Sequence, residues 1–321
     1  MTPEQWQRLD SLLDSLLDLP AAQREGWLAR HASDLDQASQ QRLRALLARA
    51  EADTALNHAA AAEIASGRLL PAQSVGSWQI ESSLGAGGQG QTYRVRRELG
   101  GALQRGVLKL PHAADADSLR RSLRERRLLA GLQHPSIPGL LDGGLLDDGR
   151  PWWVLAAVDG EPIDRHVQTH RLGTAAIIDL LMPLAEALGH AHGRLVLHRD
   201  LKPDNVLVDR SGRPQLLDFG IGRALDETGT LTTAGFTASY AAPEQIRGGA
   251  IGVAVDVHGF GALLYRLLAG RAPFAADSLD ASLHAVLNRD PPPLAGLDRE
   301  LQAILGKALR KEPAERYASV A

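Results

Sequence analysis

Cysteine is missing from all 321 residues. That excludes a disulfide framework and thiolate ligation of zinc, and it permits a reducing compartment. Excess charge is nearly missing too: the net value is -3, which gives no general attraction to nucleic acid or to an anionic membrane. No signal peptide is recognisable near Met1, because Arg8, Asp10, Asp14 and Asp18 interrupt the stretch from Trp6 to Leu19. No uncharged apolar run is long enough to span a bilayer, and neither internal repeats nor long low-complexity tracts occur. The expectation is a soluble, cytoplasmic protein with no nucleic acid as partner and no membrane contact within this chain. Its length exceeds what one hydrophobic core usually organises, so two lobes or a domain with an appendage are expected.

Residues 1–66 read as helices only. Thr2-Pro3-Glu4-Gln5 offers an N-cap threonine, a proline at the first helical position and a glutamine at the capping-box position. Trp6, Leu9, Leu12, Leu13, Leu16 and Leu17 follow at helical spacing, and Pro20 stops the run. A small bundle packing on itself or on its neighbour is the favoured reading of this region, with partner docking second. Residues 67–77, containing Pro71 and Gly76, read as a linker.

From Trp78 the pattern changes to strands. Leu84-Gly85-Ala86-Gly87-Gly88-Gln89-Gly90-Gln91-Thr92-Tyr93 is a glycine-rich turn between two alternating segments, and glycines let backbone amides approach phosphate oxygens with no Cβ in the way. A dinucleotide-binding turn would run into a helix; here a strand follows. Gly106-Val107-Leu108-Lys109-Leu110 is a short apolar strand with one cation at its centre, which needs an anionic partner if buried. Further strands are expected through Leu140 to Leu146 and Trp152 to Val158. The remainder reads as mostly helical: Asp164 to Arg171, Thr174 to His192, Gly252 to Ala269, Ser278 to Asn288 and Asp298 to Leu309. With no third ligand evident, His190 and His192 read as structural.

The most informative stretch is His198-Arg199-Asp200-Leu201-Lys202-Pro203-Asp204-Asn205, followed by Val206-Leu207-Val208 and then Asp218-Phe219-Gly220. It gathers two carboxylates, an amide and a cation, a set suited to a magnesium ion and a phosphoryl group in transfer. These residues resemble the catalytic and metal loops of eukaryotic-type protein kinases, specifically the bacterial serine/threonine branch. The resemblance covers Trp78 to Ala321, with the motifs in the family's order.

That resemblance implies an α+β, two-lobed fold: a five-stranded antiparallel sheet plus one helix in an N-lobe of about residues 78–158, then a mainly helical C-lobe of about 159–321. It implies an ATP-dependent serine/threonine protein kinase using Mg²⁺, with Mn²⁺ as the alternative. By the same carry-over, Asp200 is the base, Lys202 steadies the γ-phosphate, and Asn205 and Asp218 hold the metal. Leu84, Gly85, Gly87, Gly88, Gly90, Thr92, Val107, Lys109, Glu125, Ala156, Val158 and Leu207 bind the nucleotide, Lys109 pairing with Glu125 and Leu155 standing behind the adenine. Arg199 would grip a phosphate on the segment after Gly220, where Thr230, Thr232 and Thr233 are candidate autophosphorylation sites; self-association would serve that reaction. Thr237 would bond Asp200 and Lys202, Glu244 would pair with Arg316, and Asp256 would brace the catalytic loop. The substrate class implied is a protein hydroxyl.

Thr92 stands where the family usually has valine, Val107 where it has alanine, and Ala156 where it has an acid, which alters the shape and polarity of the nucleotide pocket. The chain ends at Ala321, just after the Arg316 motif and before the fold's last helix, so a longer protein is expected. A pseudokinase scaffold is the alternative and a small-molecule kinase a weaker third; Lys109, Asp200 and Asp218 are all present, which favours activity.

Overall fold

In a computed structural model, residues 72–87, 90–111, 116–219 and 238–320 are described, together with Leu12, Gly26, Trp27, Arg30, His31 and Leu35. The helices expected over residues 1–66 therefore lie almost wholly outside the described residues. Of those described there, Leu12, Gly26, Trp27, Arg30 and His31 are helical. The chain forms two units, one of Met1–Gly131 with Leu140–Ala157 and one of Leu132–Gly139 with Val158–Ala321.

Alternation of apolar and polar residues builds the first unit. In β3 (Gly90–Leu99), Tyr93 and Val95 turn inward while Arg94 and Arg96 face water. β4 (Ala102–Pro111) repeats the pattern with Leu108 and Leu110. With β1 (Ser74–Val75), β2 (Trp78–Gly87), β5 (Leu140–Leu145) and β6 (Pro151–Ala156) they form one sheet in the order β1-β2-β3-β4-β6-β5. Each pairing is antiparallel. The sheet thus has six strands, one more than expected. The extra one lies inside the supposed linker: Val75 is 2% exposed in the core formed by Trp78, Ile80, Tyr93, Val95, Leu108, Leu110, Trp152 and Val154. Trp78 donates from its indole nitrogen to Asp142 at 2.9 Å, and Arg97 lies over the same ring at 4.2 Å while pairing with Asp142 at 2.8 Å. One helix, α1 (Ala116–Ala130), packs on β6 and buries Leu123 and Leu129.

The second unit starts with β7 (Gly160–Pro162), which joins β8 (Val206–Asp209) and β9 (Pro214–Leu216) in a three-stranded antiparallel sheet. Helices α2 (Ile163–His170), α3 (Thr174–His192), α4 (Pro243–Arg247), α5 (Val253–Ala269), α6 (Leu279–Asn288) and α7 (Arg299–Ala308) make up most of the rest. Ser278 caps α6 by accepting from the Ala281 amide, and Asp298 caps α7 by accepting from Leu301. Among the described residues α3 has the length and hydropathy of a membrane span. It carries Asp179 and Glu186, so it is not an uncharged run, and it buries eight side chains against its neighbours, including Ile177, Leu181, Leu184 and Leu188. α3 and α5 pack together in the middle of this unit.

Candidate active site

The residues from His198 to Asn205 form a loop whose shape is set from α5. Asp256, 1% exposed, accepts from the backbone amide of His198 at 2.8 Å on Oδ2 and from that of Arg199 at 2.7 Å on Oδ1. His192, at the end of α3, donates its Nε2 proton to the same Oδ2 at 2.8 Å. A buried carboxylate is costly unless hydrogen-bonded, and three donors meet that requirement here. Arg199 is thereby held at φ 66° and Asp218 sits at φ 50°. For residues bearing a Cβ, each costs about 1–2 kcal/mol.

His198 links the two stretches. Its Nε2 donates to the Leu217 carbonyl at 2.7 Å, and its Nδ1 accepts from the Asp200 amide at 3.3 Å. Both bonds are satisfied only by the neutral ring with its proton on Nε2. Burial pushes the His198 pKa below the ordinary value, with Asp256 opposing, so the neutral form is the stable one. Phe219 is buried against the His198 ring, centroids 5.0 Å apart, which seats the segment carrying Asp218.

Within the loop, Asp200, Lys202 and Asn205 converge. Lys202 Nζ lies 3.2 Å from Asp200 Oδ2. The Asn205 amide group donates to Asp200 Oδ2 at 2.9 Å and to the Asp200 carbonyl at 2.7 Å. Both amide hydrogens are committed to Asp200, which fixes the side chain and leaves its oxygen as the acceptor for a cation. That oxygen and the exposed Asp218 carboxylate are hard donors, a set that fits Mg²⁺ or Mn²⁺ rather than a thiophilic metal. Leu207 on β8 is half-buried, with Val206 and Val208 pointing into the core beside it.

In the first unit, Thr92, Val107 and Lys109 share the sheet face opposite Tyr93, Leu108 and Leu110. Thr92 is paired with Lys109, Val107 with Leu155, and Lys109 with Trp153. The glycine-rich segment continues β2 into β3, with Gly85 opposite Thr92 and Gly87 opposite Gly90. Gly90 has φ 136°, and a Cβ there would fall on the Leu110 carbonyl oxygen and 2.6 Å from Pro111 Cα. A Cβ on Gly85 would meet nothing within 4 Å. Leu84 is exposed, and Ala156 ends β6 two residues short of Val158, the expected strand end. Gly88, Gly220, Thr230, Thr232, Thr233 and Thr237 lie outside the described residues, and of Glu125 only its place in α1 is described.

Farther along, the Arg316 guanidinium donates to both Glu244 oxygens, at 2.6 and 2.8 Å, and also to the carbonyls of Ala254, Arg310 and Lys311. Both side chains are buried, so the bidentate fork and its added acceptors are what make that burial tolerable. Gln245, which no local motif marks, donates to the Arg199 carbonyl at 2.9 Å and accepts from the Ala242 amide at 2.9 Å. It both caps α4 and fastens it to the His198–Asn205 loop. Only its place one residue after Glu244 hinted at this, as only its place before the loop hinted at the role of His192. Burial raises the Tyr240 phenol to about 12, so that side chain is neutral.

Residues 78–320 match a family profile described as "Protein kinase domain". Serine/threonine-protein kinase PknJ of Mycobacterium tuberculosis is 36% identical over 256 residues, spanning 75% of this chain and 43% of that protein. Serine/threonine-protein kinase PkaA of Streptomyces coelicolor is 38% identical over 262 residues, spanning 75% of this chain and 48% of that protein. The chain thus matches less than half the length of these relatives. The crystal structure of the Mycobacterium tuberculosis PknI kinase domain superposes with a TM-score of 0.60 at 28% identity, covering 79% of this chain and 95% of that one.

Proposed function

This chain belongs to the protein kinase family, among the bacterial serine/threonine kinases, and we propose that it transfers the γ-phosphate of ATP to serine or threonine hydroxyls of a protein substrate. The observation that carries the reading is the Asp200–Lys202–Asn205 cluster, pinned by Asp256 and His198. Family members use ATP and a divalent metal; Mg²⁺ is the ion we assign here, with Mn²⁺ as substitute. Held by Asn205 and Asp218, such an ion would supply positive charge to offset that developing on the phosphoryl group.

The chain's own residues then have separate tasks. Asp200, held by two partners on Oδ2, accepts the proton of the attacking hydroxyl. Lys202 places positive charge beside that carboxylate and the phosphoryl group in transfer. Asn205 and Asp218 supply oxygen ligands to the metal. In the first unit, Gly85, Gly87, Gly88 and Gly90 present backbone amides to the phosphates, and Lys109, with Glu125 as partner, offsets their charge. Thr92, Val107, Ala156, Val158, Leu84 and Leu207 contact the base and sugar. Arg199 is the group that receives a phosphate carried by Thr230, Thr232 or Thr233, and that modification proceeds between two copies of the chain. Cytoplasmic residence is part of the reading, and the cysteine-free sequence permits it.

The test is transfer of labelled phosphate from ATP to a generic protein substrate, with Asp200→Asn as control. The substitution is expected to lower the rate at least about 100-fold, the scale of losing a positioned general base. Equal rates in the two proteins would overturn the assignment. Phosphopeptide mapping of the same reaction should find phosphate on residues 228–237, and an unmodified segment would remove the autophosphorylation proposal.

A further inference from the structure

Away from the catalytic loop, Glu161 on β7 and His166 and His170 on α2 bring a carboxylate oxygen and two imidazole nitrogens within 4.8 Å of one another. Local geometry explains the convergence. β7 is hydrogen-bonded to β8, with Glu161 opposite Val208, and α2 begins immediately after Pro162. Residues four apart share a helix face, so both rings stand over the end of the strand, centroids 4.3 Å apart. One oxygen, Glu161 Oε1, is 3.1 Å from His166 Nδ1 and 3.7 Å from His170 Nε2.

The first separation is that of a hydrogen bond; the second is too long for one and lies within ion-pair reach. In a tetrahedral zinc centre with bonds of about 2.0–2.1 Å, neighbouring donor atoms stand about 3.3 Å apart, and the two distances straddle that value. The support is fixed as well. Ile163 and Val167 are buried under α2, and Asp164 pairs with Arg266 of α5 at 2.9 Å. Arg165 approaches the other carboxylate oxygen, Oε2, at 3.9 Å, which leaves Oε1 to the imidazoles. The side chains of Glu161 and His170 are 33% and 53% exposed, so an ion and a completing water can enter.

We propose that Glu161, His166 and His170 form a three-ligand site for Zn²⁺, with water in the fourth position. Two imidazoles and a carboxylate select a borderline ion over Mg²⁺, which prefers all-oxygen ligation. Occupancy ties the strand β7 to the helix that follows it, three residues after the chain returns to the second unit at Val158.

The experiment is a Zn²⁺ titration of the chelator-treated chain against a chromophoric competitor, with Mg²⁺ in excess, supported by visible spectra of the Co²⁺-loaded protein. One equivalent of Zn²⁺ is expected to bind. His170→Ala and Glu161→Gln should each weaken it by more than tenfold, the least that losing even an outer-shell partner costs, and should abolish the Co²⁺ spectrum. Both positions are partly exposed, so the variants are expected to fold, as unchanged thermal unfolding without metal would verify. His190→Ala, which alters the separate His134–His190 pair with centroids 5.5 Å apart, should leave binding intact. No Zn²⁺ uptake by the parent chain, a loss of less than tenfold in both variants, or binding abolished instead by Asp218→Asn would each overturn the proposal.

Discussion

Asp256 is the residue on which the shape of the His198–Asn205 loop most depends. It serves three donors at 2.7–2.8 Å while 1% exposed, and each orphaned buried donor costs about 1–3 kcal/mol. Asp256→Ala is therefore expected to lower the unfolding free energy by at least about 3 kcal/mol in chemical denaturation, and to reduce phosphotransfer although no reacting atom is altered. A loss of less than 1 kcal/mol would mean that the loop holds its own shape. The sequence names Asp256, Glu244 and Arg316 because they sit in recognisable local strings. His192 is read as structural but its partner is not named, and Gln245 escapes the sequence altogether, for a physical reason: their partners lie 64 and 46 residues away, and no local periodicity encodes such contacts.

Elements were legible where periodicity was long. The helices Thr174–His192 and Val253–Ala269 fall within one residue of their expected bounds, since apolar residues at helical spacing mark their buried faces. Strand β1 was not legible: two residues cannot alternate, and they pair only because β2 offers an edge. The glycine-rich hairpin separates two roles that sequence merges. Gly90→Ala must place a Cβ at φ 136° against the Leu110 carbonyl, at a cost of about 3 kcal/mol from strain and overpacking. Gly85→Ala meets open space and should leave stability unchanged or raised by about 0.4–1 kcal/mol, while weakening ATP binding several-fold if that backbone approaches a phosphate. Thermal unfolding and nucleotide titration of the two variants distinguish a structural glycine from a functional one.

For the whole molecule, buried histidines set the acid limit. His258, stacked on Phe274, is pushed well below its ordinary value by burial, with Arg316 and Lys311 adding to the effect; His198 is lowered by burial. Unfolded, each takes up a proton below about pH 6.5; folded, each resists. The unfolded state then binds more protons, so the contribution of these two histidines to stability is level above about pH 6.5 and falls below it, by up to about 1.4 kcal/mol per pH unit for each group. Denaturant midpoints that hold constant from pH 7 to 5 would contradict this. The short strand β1 has a practical consequence of its own. The family match begins at Trp78, yet Val75 lies in the core, and Ala72 and Gln73 hydrogen-bond Ile80 at 3.0 and 2.8 Å. A shortened chain starting at Trp78 should forfeit about 1.5–3 kcal/mol of valine burial and bare a strand margin prone to clumping, whereas one starting at Pro71 should stay monodisperse in light scattering. Where homology fades is therefore not where this lobe stops needing its own residues.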